Sequence, residues 1–168
     1  MSDITIEYLA DRPELVAELA RLSWREWQDV YEQRGQTLEH SLRNYQDRMN
    51  TDRLPLTLVA VHTDCGVQTL VGMVSLKFHD MDTRPDLDPW LGGLLVLPDW
   101  RNRGIGTMLM HNATEEARKL NVSHLYLWTA SAESLYRKLG WQLIERTAYF
   151  GKQAVVMRLN LESDRPDK

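Results

Sequence analysis

LLVLPDWRNRGIGTMLM, residues 94–110, is the stretch whose reading decides the fold. An apolar run of strand length, 91–97, passes through Pro98-Asp99-Trp100 into Arg101-Asn102-Arg103-Gly104-Ile105-Gly106, which opens a helix. Ile105, Met108, Leu109, Ala113, Ala117 and Leu120 share one face of that helix, expected over 104–120. The first amides of a helix lack internal partners and point outward, and the helix dipole adds a partial positive charge there. Gly104 and Gly106 remove side chains that would block close approach of an anion, and Arg101 and Arg103 add formal charge. Together these features suit a phosphate or pyrophosphate. A Walker A loop requires Gly-Lys-Ser/Thr, whereas Gly106 is followed by Thr107-Met108. A dinucleotide fingerprint requires a third glycine where Leu109 stands. On spacing alone, a tight strand-to-helix turn with solvated arginines is the competing reading.

On the N-terminal side, residues 3–9 alternate as a strand. Asp11 is the expected N-cap of a helix with Pro13 in its first turn, running to about Tyr31 before Arg34-Gly35. Thr37 caps a second helix bearing Leu38, Leu42, Tyr45 and Met49 on one face. Strands over 56–61 and 70–78 flank the turn Asp64-Cys65-Gly66 as a hairpin. Residues 79–90 are polar, carry two prolines and form a loop long enough to hint at function. On the C-terminal side come a strand at 124–129, a short helix ending at Leu139-Gly140, and strands at 141–150 and 153–161. The order β-α-α-β-β-β-α-β-α-β-β predicts an α/β fold: a mixed sheet of about seven strands with helices on both faces. One domain over 1–162 is expected, with a frayed tail at 163–168.

The composition narrows the function. With 168 residues the chain has the size of one domain and buries a substantial core without metals or disulfides. A net charge of −4 argues against a nucleic-acid partner. No apolar run reaches the ~20 residues of a membrane span, and the first ten residues do not form a signal peptide. The single cysteine, Cys65, fits a cytoplasmic protein and sits in a turn with no base beside it. The five histidines show no metal-ligand spacing, so no metal is expected.

Two motifs carry a resemblance. Residues 101–106 match (Q/R)-x-x-G-x-(G/A) at a helix start after a strand. Ala132-Glu133-Ser134-Leu135-Tyr136-Arg137-Lys138-Leu139-Gly140-Trp141 matches A-x-x-L-Y-x-K-x-G-F/W. In this order and separation the chain resembles the GCN5-related N-acetyltransferase (GNAT) family, in its small bacterial form. The Pro89-Trp90 before the central strand and LYLWT after the long helix are similar to one of its subgroups.

The resemblance implies an enzyme that transfers acetyl directly from acetyl-CoA to an amine. The acceptor is expected to be a small molecule. A protein N-terminus or lysine, and a non-catalytic acyl-CoA sensor, are the alternatives. The co-substrate would lie in a V-shaped opening between strands 91–97 and 124–129. Main-chain groups of Leu94, Leu95 and Val96 would pair with its pantetheine arm and polarise the thioester carbonyl. Amides from Asn102 to Thr107, beside Arg101 and Arg103, would hold the pyrophosphate. Gly92-Gly93 marks either a bulge or close backbone approach there, or a pair that spares a packed neighbour. Tyr136 would be the general acid, its hydroxyl being largely protonated at neutral pH. A half-buried packing tyrosine is the bland reading of that residue. Thr129 stands where the family often has an asparagine, seven residues before the tyrosine.

A base is harder to find, because strand 91–97 has no carboxylate. Asp80, Asp82, Asp86 and Asp88, with His79, lie on its approach, and Asp80 is the favoured candidate. The same loop carboxylates are otherwise a solvated cluster, or a field that attracts a cationic amine. Trp24, Trp27 and Tyr31 belong either to the acceptor pocket or to ordinary core packing. Dimers are common in the family, and no segment of this sequence identifies an interface.

Overall fold

The computed structural model describes residues 3–162; the tail expected to fray at 163–168 lies outside the described residues. The elements are β1 (Asp3–Tyr8), α1 (Val16–Glu26), α2 (Gln28–Gln33), α3 (Leu38–Asp47), β2 (Leu56–Asp64) and β3 (Val67–Lys77). They continue with β4 (Trp90–Val96), α4 (Ile105–Lys119), β5 (His124–Thr129), α5 (Glu133–Lys138), β6 (Gln142–Tyr149) and β7 (Lys152–Asn160). The expected order is recovered with one helix more.

The extra helix comes from the segment expected to be continuous from Pro13 to Tyr31. Asp11 caps nothing: Leu9–Asp11 and Pro13–Leu15 are separate 3-10 turns, and α1 starts at Val16 without a side-chain cap. At Trp27 the backbone leaves helical geometry (φ −119°, ψ 30°), and α2 begins after it. Periodicity overlooks this break because the hydrogen bonds Trp27 N to Ser23 O and Tyr31 N to Trp27 O keep the helical phase. Thr37 does cap α3: its Oγ1 accepts from His40 N, and its own N–H donates to His40 Nδ1 at 3.0 Å.

One seven-stranded sheet runs in the order β1-β2-β3-β4-β5-β7-β6. Every neighbouring pair is antiparallel except β4 and β5. Helices cover both faces. Ile105, Leu109, Ala113 and Ala117 of α4 pack with Leu58, Ala60, Val71 and Leu76 on one side. Leu19 of α1 and Tyr45 of α3 pack with Val59 and Met73 on the other. Residues 56–61 of β2 are therefore buried without alternation, as expected of a strand covered twice. Met108, expected on the buried face of α4, is exposed, and Met110 takes that place. Met110 lies three residues before Ala113 and seven before Ala117, so it falls within the same stripe.

The 79–90 loop is anchored rather than solvated throughout. Met81 and Leu87 are buried with Trp90, Tyr126, Tyr149 and Val156 in a third apolar cluster. Trp90 Nε1 donates to Leu87 O at 2.7 Å. Arg34, at the end of α2, donates through Nη2 to Asp80 O and to the Tyr149 hydroxyl, both at 2.7 Å. These contacts tie the loop to α2, β5, β6 and β7.

Candidate active site

The site begins where β4 and β5 part. Their parallel ladder is a single bridge, Trp90 to Tyr126, with Tyr126 N donating to Pro89 O at 3.0 Å. Beyond that bridge the edge of β4 turned away from β3, around Leu94, Leu95 and Val96, has no strand partner among the described residues. Against β3 the register steps from Met73↔Leu95 to Ser75↔Gly92, which gives β4 one extra residue. Gly93 absorbs it at φ +61°, so the bulge reading of the Gly pair holds. Gly92 serves the close-approach role instead. A Cβ there would lie 2.7 Å from Lys77 Cε and 2.8 Å from Asp80 Oδ2.

The phosphate-type loop forms as its sequence suggests. Gly104 takes φ +79° at the N-cap of α4 and no side chain caps the helix. The amides of Ile105, Gly106 and Thr107 thus lack intrahelical partners, and the first turn holds no acidic residue. Asn102 adopts φ +61°, a left-handed conformation that asparagine tolerates better than most residues. Arg101 and Arg103 are both exposed, but not idle. Arg101 Nε donates to Val96 O at 2.9 Å, tying the loop to β4, and the Arg103 guanidinium lies 4.8 Å from the Trp100 ring centroid. These groups fit a diphosphate: a left-handed glycine and three free amides stand at one helix start, with two arginines in the loop before it.

Tyr136 lies on α5, beside the open end of the gap. Its ring meets Trp141 edge-on with centroids 6.2 Å apart, and burial pushes its pKa above the ordinary tyrosine value. The hydroxyl makes no hydrogen bond to any described residue. Thr129, at the end of β5, accepts through Oγ1 from Ala132 N at 3.1 Å and Ser131 N at 3.3 Å. That hydroxyl organises the turn into α5 and keeps its own proton free to donate.

Tyr136 and Thr129 share a cavity of about 470 Å³ with Asp80, Gly92, Gly93 and Leu94. Trp27, Tyr31, Trp128, Tyr149 and Phe150 supply aromatic walls. Trp24 stands apart from that lining and stacks on Tyr31 at 5.5 Å. A larger groove of about 650 Å³ runs between α4 and the Leu139–Trp141 corner, but it holds neither Tyr136 nor Asp80.

The acidic loop differs from its expected state. The Asp80 side chain is only 12% exposed and its Oδ1 lies 2.7 Å from Lys77 Nζ. Asp82 Oδ2 lies 3.1 Å from Arg34 Nε, and Asp86 pairs with Arg84 at 3.0 Å. Three of the four aspartates therefore stand beside a cation. Burial depresses the Lys77 pKa, against the pull of Asp80.

With this geometry in place, the sequence comparisons decide the family. The family model described as the Acetyltransferase (GNAT) family matches residues 16–141. The chain belongs to the GNAT acetyltransferase family. By sequence, no curated protein matches it. In backbone, it is similar to yncA, a putative acetyltransferase from Salmonella typhimurium solved with acetyl-CoA (19% identity, TM-score 0.67, 98% of each chain covered). It is also similar to aminoglycoside 6'-acetyltransferase type Ii (20% identity, TM-score 0.67, 96% and 99% covered). A third similar structure is the NatC complex bound to Gag peptide and CoA (18% identity, TM-score 0.71, 94% and 98% covered). At these identities the likenesses establish the fold, and the acceptors in their descriptions belong to those proteins.

Several residues of the candidate site carry no local signal in the sequence. Arg34, Arg48, Lys77 and Tyr149 reach the cavity from α2, the end of α3, β3 and β6. None lies in a motif, and each becomes visible only when the sheet brings its segment to the gap.

Proposed function

We propose that this acetyltransferase moves an acetyl group from acetyl-CoA to the amine of a small molecule. Acetyl-CoA is the co-substrate, and it supplies an activated thioester. The observation that carries this reading is that Tyr136 and Asp80 line one cavity at the open end of the β4–β5 gap. The enclosure of that cavity by α2, the 79–90 loop and the Tyr149-Phe150 corner suits a small acceptor better than a protein surface.

The chain's own groups divide the work. Free amides at the start of α4, with Arg101 and Arg103, hold the diphosphate. The unpartnered edge around Leu94, Leu95 and Val96 holds the pantetheine arm as a strand would, and a main-chain amide there polarises the thioester carbonyl. Asp80 takes a proton from the attacking ammonium, so that the nitrogen is neutral when the C–N bond forms. Tyr136 Oη gives its proton to the sulfur as the C–S bond breaks, and the second proton that the nitrogen sheds on becoming an amide restores the tyrosine hydroxyl. The raised pKa of Tyr136 keeps that proton in place at neutral pH. Fixing thioester and acceptor against one another supplies the entropic part of the rate.

The test is thiol release from acetyl-CoA over a broad amine panel, with wild type beside Tyr136→Phe. The reading expects turnover with at least one small amine and a loss of about 10²-fold or more in the variant at unchanged acetyl-CoA affinity. Tight acetyl-CoA binding with no small-amine turnover overturns it in favour of a sensor or a protein acceptor.

A further inference from the structure

The charges lining the cavity do not balance. Arg34, Arg48, Lys77 and Lys152 face it, against Glu26 and Asp80. Two of the cations are already answered: Lys77 by Asp80, and Arg34 by Asp82, which is not among the lining residues. Lys152 and Glu26 are exposed and carry opposite charges. Arg48 is left over. It is half-buried at the end of α3, its guanidinium lies 5.2 Å from the Tyr45 ring centroid, and no carboxylate among the described residues pairs with it. Arg34 and Arg48 both act to lower the Lys77 pKa, as cations gathered about one small space do.

A partly desolvated guanidinium with an aromatic ring at its side and no counter-charge favours a planar or tetrahedral oxyanion. The same positive excess repels a polycation. We propose that the acceptor is an amine that carries an oxyanion, a carboxylate or a phosphonate, and that Arg48 binds this group. The proposal rests on the reading above that this cavity is the acceptor site. It sets the specificity of the enzyme on charge, with the aromatic walls taking the apolar part of the acceptor. The Arg48–Tyr45 contact makes Arg48 a fixed anchor, since Tyr45 is fully packed between α3 and the sheet.

The test has a turnover arm and a binding arm. Turnover is compared for phenylalanine, its decarboxylated counterpart phenethylamine and its phosphonate analogue, with wild type, Arg48→Gln and Arg48→Lys. The expected result is a kcat/KM at least about tenfold higher for an oxyanion-bearing amine than for phenethylamine. Arg48→Gln brings that ratio near one through KM, and Arg48→Lys restores part of it. The carboxylate and phosphonate arms show which oxyanion the site takes. Binding of phenylacetate and of phenethylamine to the CoA-loaded protein is followed in parallel by tryptophan fluorescence. Phenylacetate is expected to bind to wild type and to be lost in Arg48→Gln. Phenethylamine turned over or bound as well as the anions, or a preference that survives Arg48→Gln, overturns the proposal. If no amine reacts, the phenylacetate result alone decides it. Failure of the acetyltransferase reading shows separately, as absence of acetyl-CoA binding in the calorimeter.

Discussion

Lys77 Nζ lies 2.7 Å from Asp80 Oδ1, and the pair sits directly against Gly92 of β4. The proposed base is thus held by an ammonium from the neighbouring strand and by the absence of a side chain on the next one. A Cβ on Gly92 would meet only side-chain ends, Lys77 Cε and Asp80 Oδ2, so the backbone can survive it while the pair cannot stay in place. Gly92→Ala is expected to fold with a stability loss of about 1 kcal/mol and to lose roughly 10- to 100-fold in kcat. Chemical denaturation beside steady-state kinetics reads both, and a variant with full activity would show that the position of Asp80 does not matter.

Removing one half of the Lys77–Asp80 pair is expected to cost more than removing both. Asp80→Asn leaves Lys77 with no counter-charge in a site that is 15% exposed, at a cost of about 2–3 kcal/mol. The double variant Lys77→Met/Asp80→Asn is expected to regain most of that stability and none of the turnover. Recovered turnover in the double variant would remove Asp80 from the mechanism.

The two glycines of the α4 loop should respond differently. Gly104 holds φ +79°, where an alanine is strained by about 1–2 kcal/mol. Its replacement also turns the first amides of α4 away from their common target. Gly106 has no positive φ, and a Cβ there meets Val96 Cγ2 at an ordinary 3.7 Å. Gly104→Ala is expected to weaken acetyl-CoA binding by at least about tenfold, and Gly106→Ala to leave thermal stability within about 0.5 kcal/mol of wild type. Calorimetric titration and thermal melts check the contrast.

Tyr45 predicts a loss of stability in alkali. Burial raises its pKa to about 12, above the ordinary value of about 10 in the unfolded chain. Stability from this group is therefore full below pH ~10 and falls as pH rises towards 12, by up to about 3 kcal/mol. Between pH 8 and 12 the unfolding free energy of wild type should fall relative to that of Tyr45→Phe by up to about 3 kcal/mol. A shallower slope from Tyr8 and Tyr136, whose pKa values are also raised, persists in the variant. Parallel pH curves would contradict the assignment.

The sequence by itself determined the order of elements apart from one helix, the glycine-bearing start of α4, the Thr37 cap and the position of Tyr136 on a short helix. Each is set by residues within a few positions of one another, through backbone geometry, capping and periodicity. Two covered faces, and with them the unbroken apolar run of β2, were legible for the same reason. The break at Trp27 was not, because the hydrogen bonds on either side preserve the spacing that periodicity detects. The states of the acidic residues were decided only in three dimensions. Asp80 is paired with a lysine on β3, and Asp82 with an arginine almost fifty residues before it. Pairing across the sheet depends on which strands neighbour one another, and that depends on the packing of the whole chain. Tertiary structure likewise gathered Arg34, Arg48, Lys77 and Tyr149 around one space, and the acidic 79–88 loop gave no reason to expect the cations among them there.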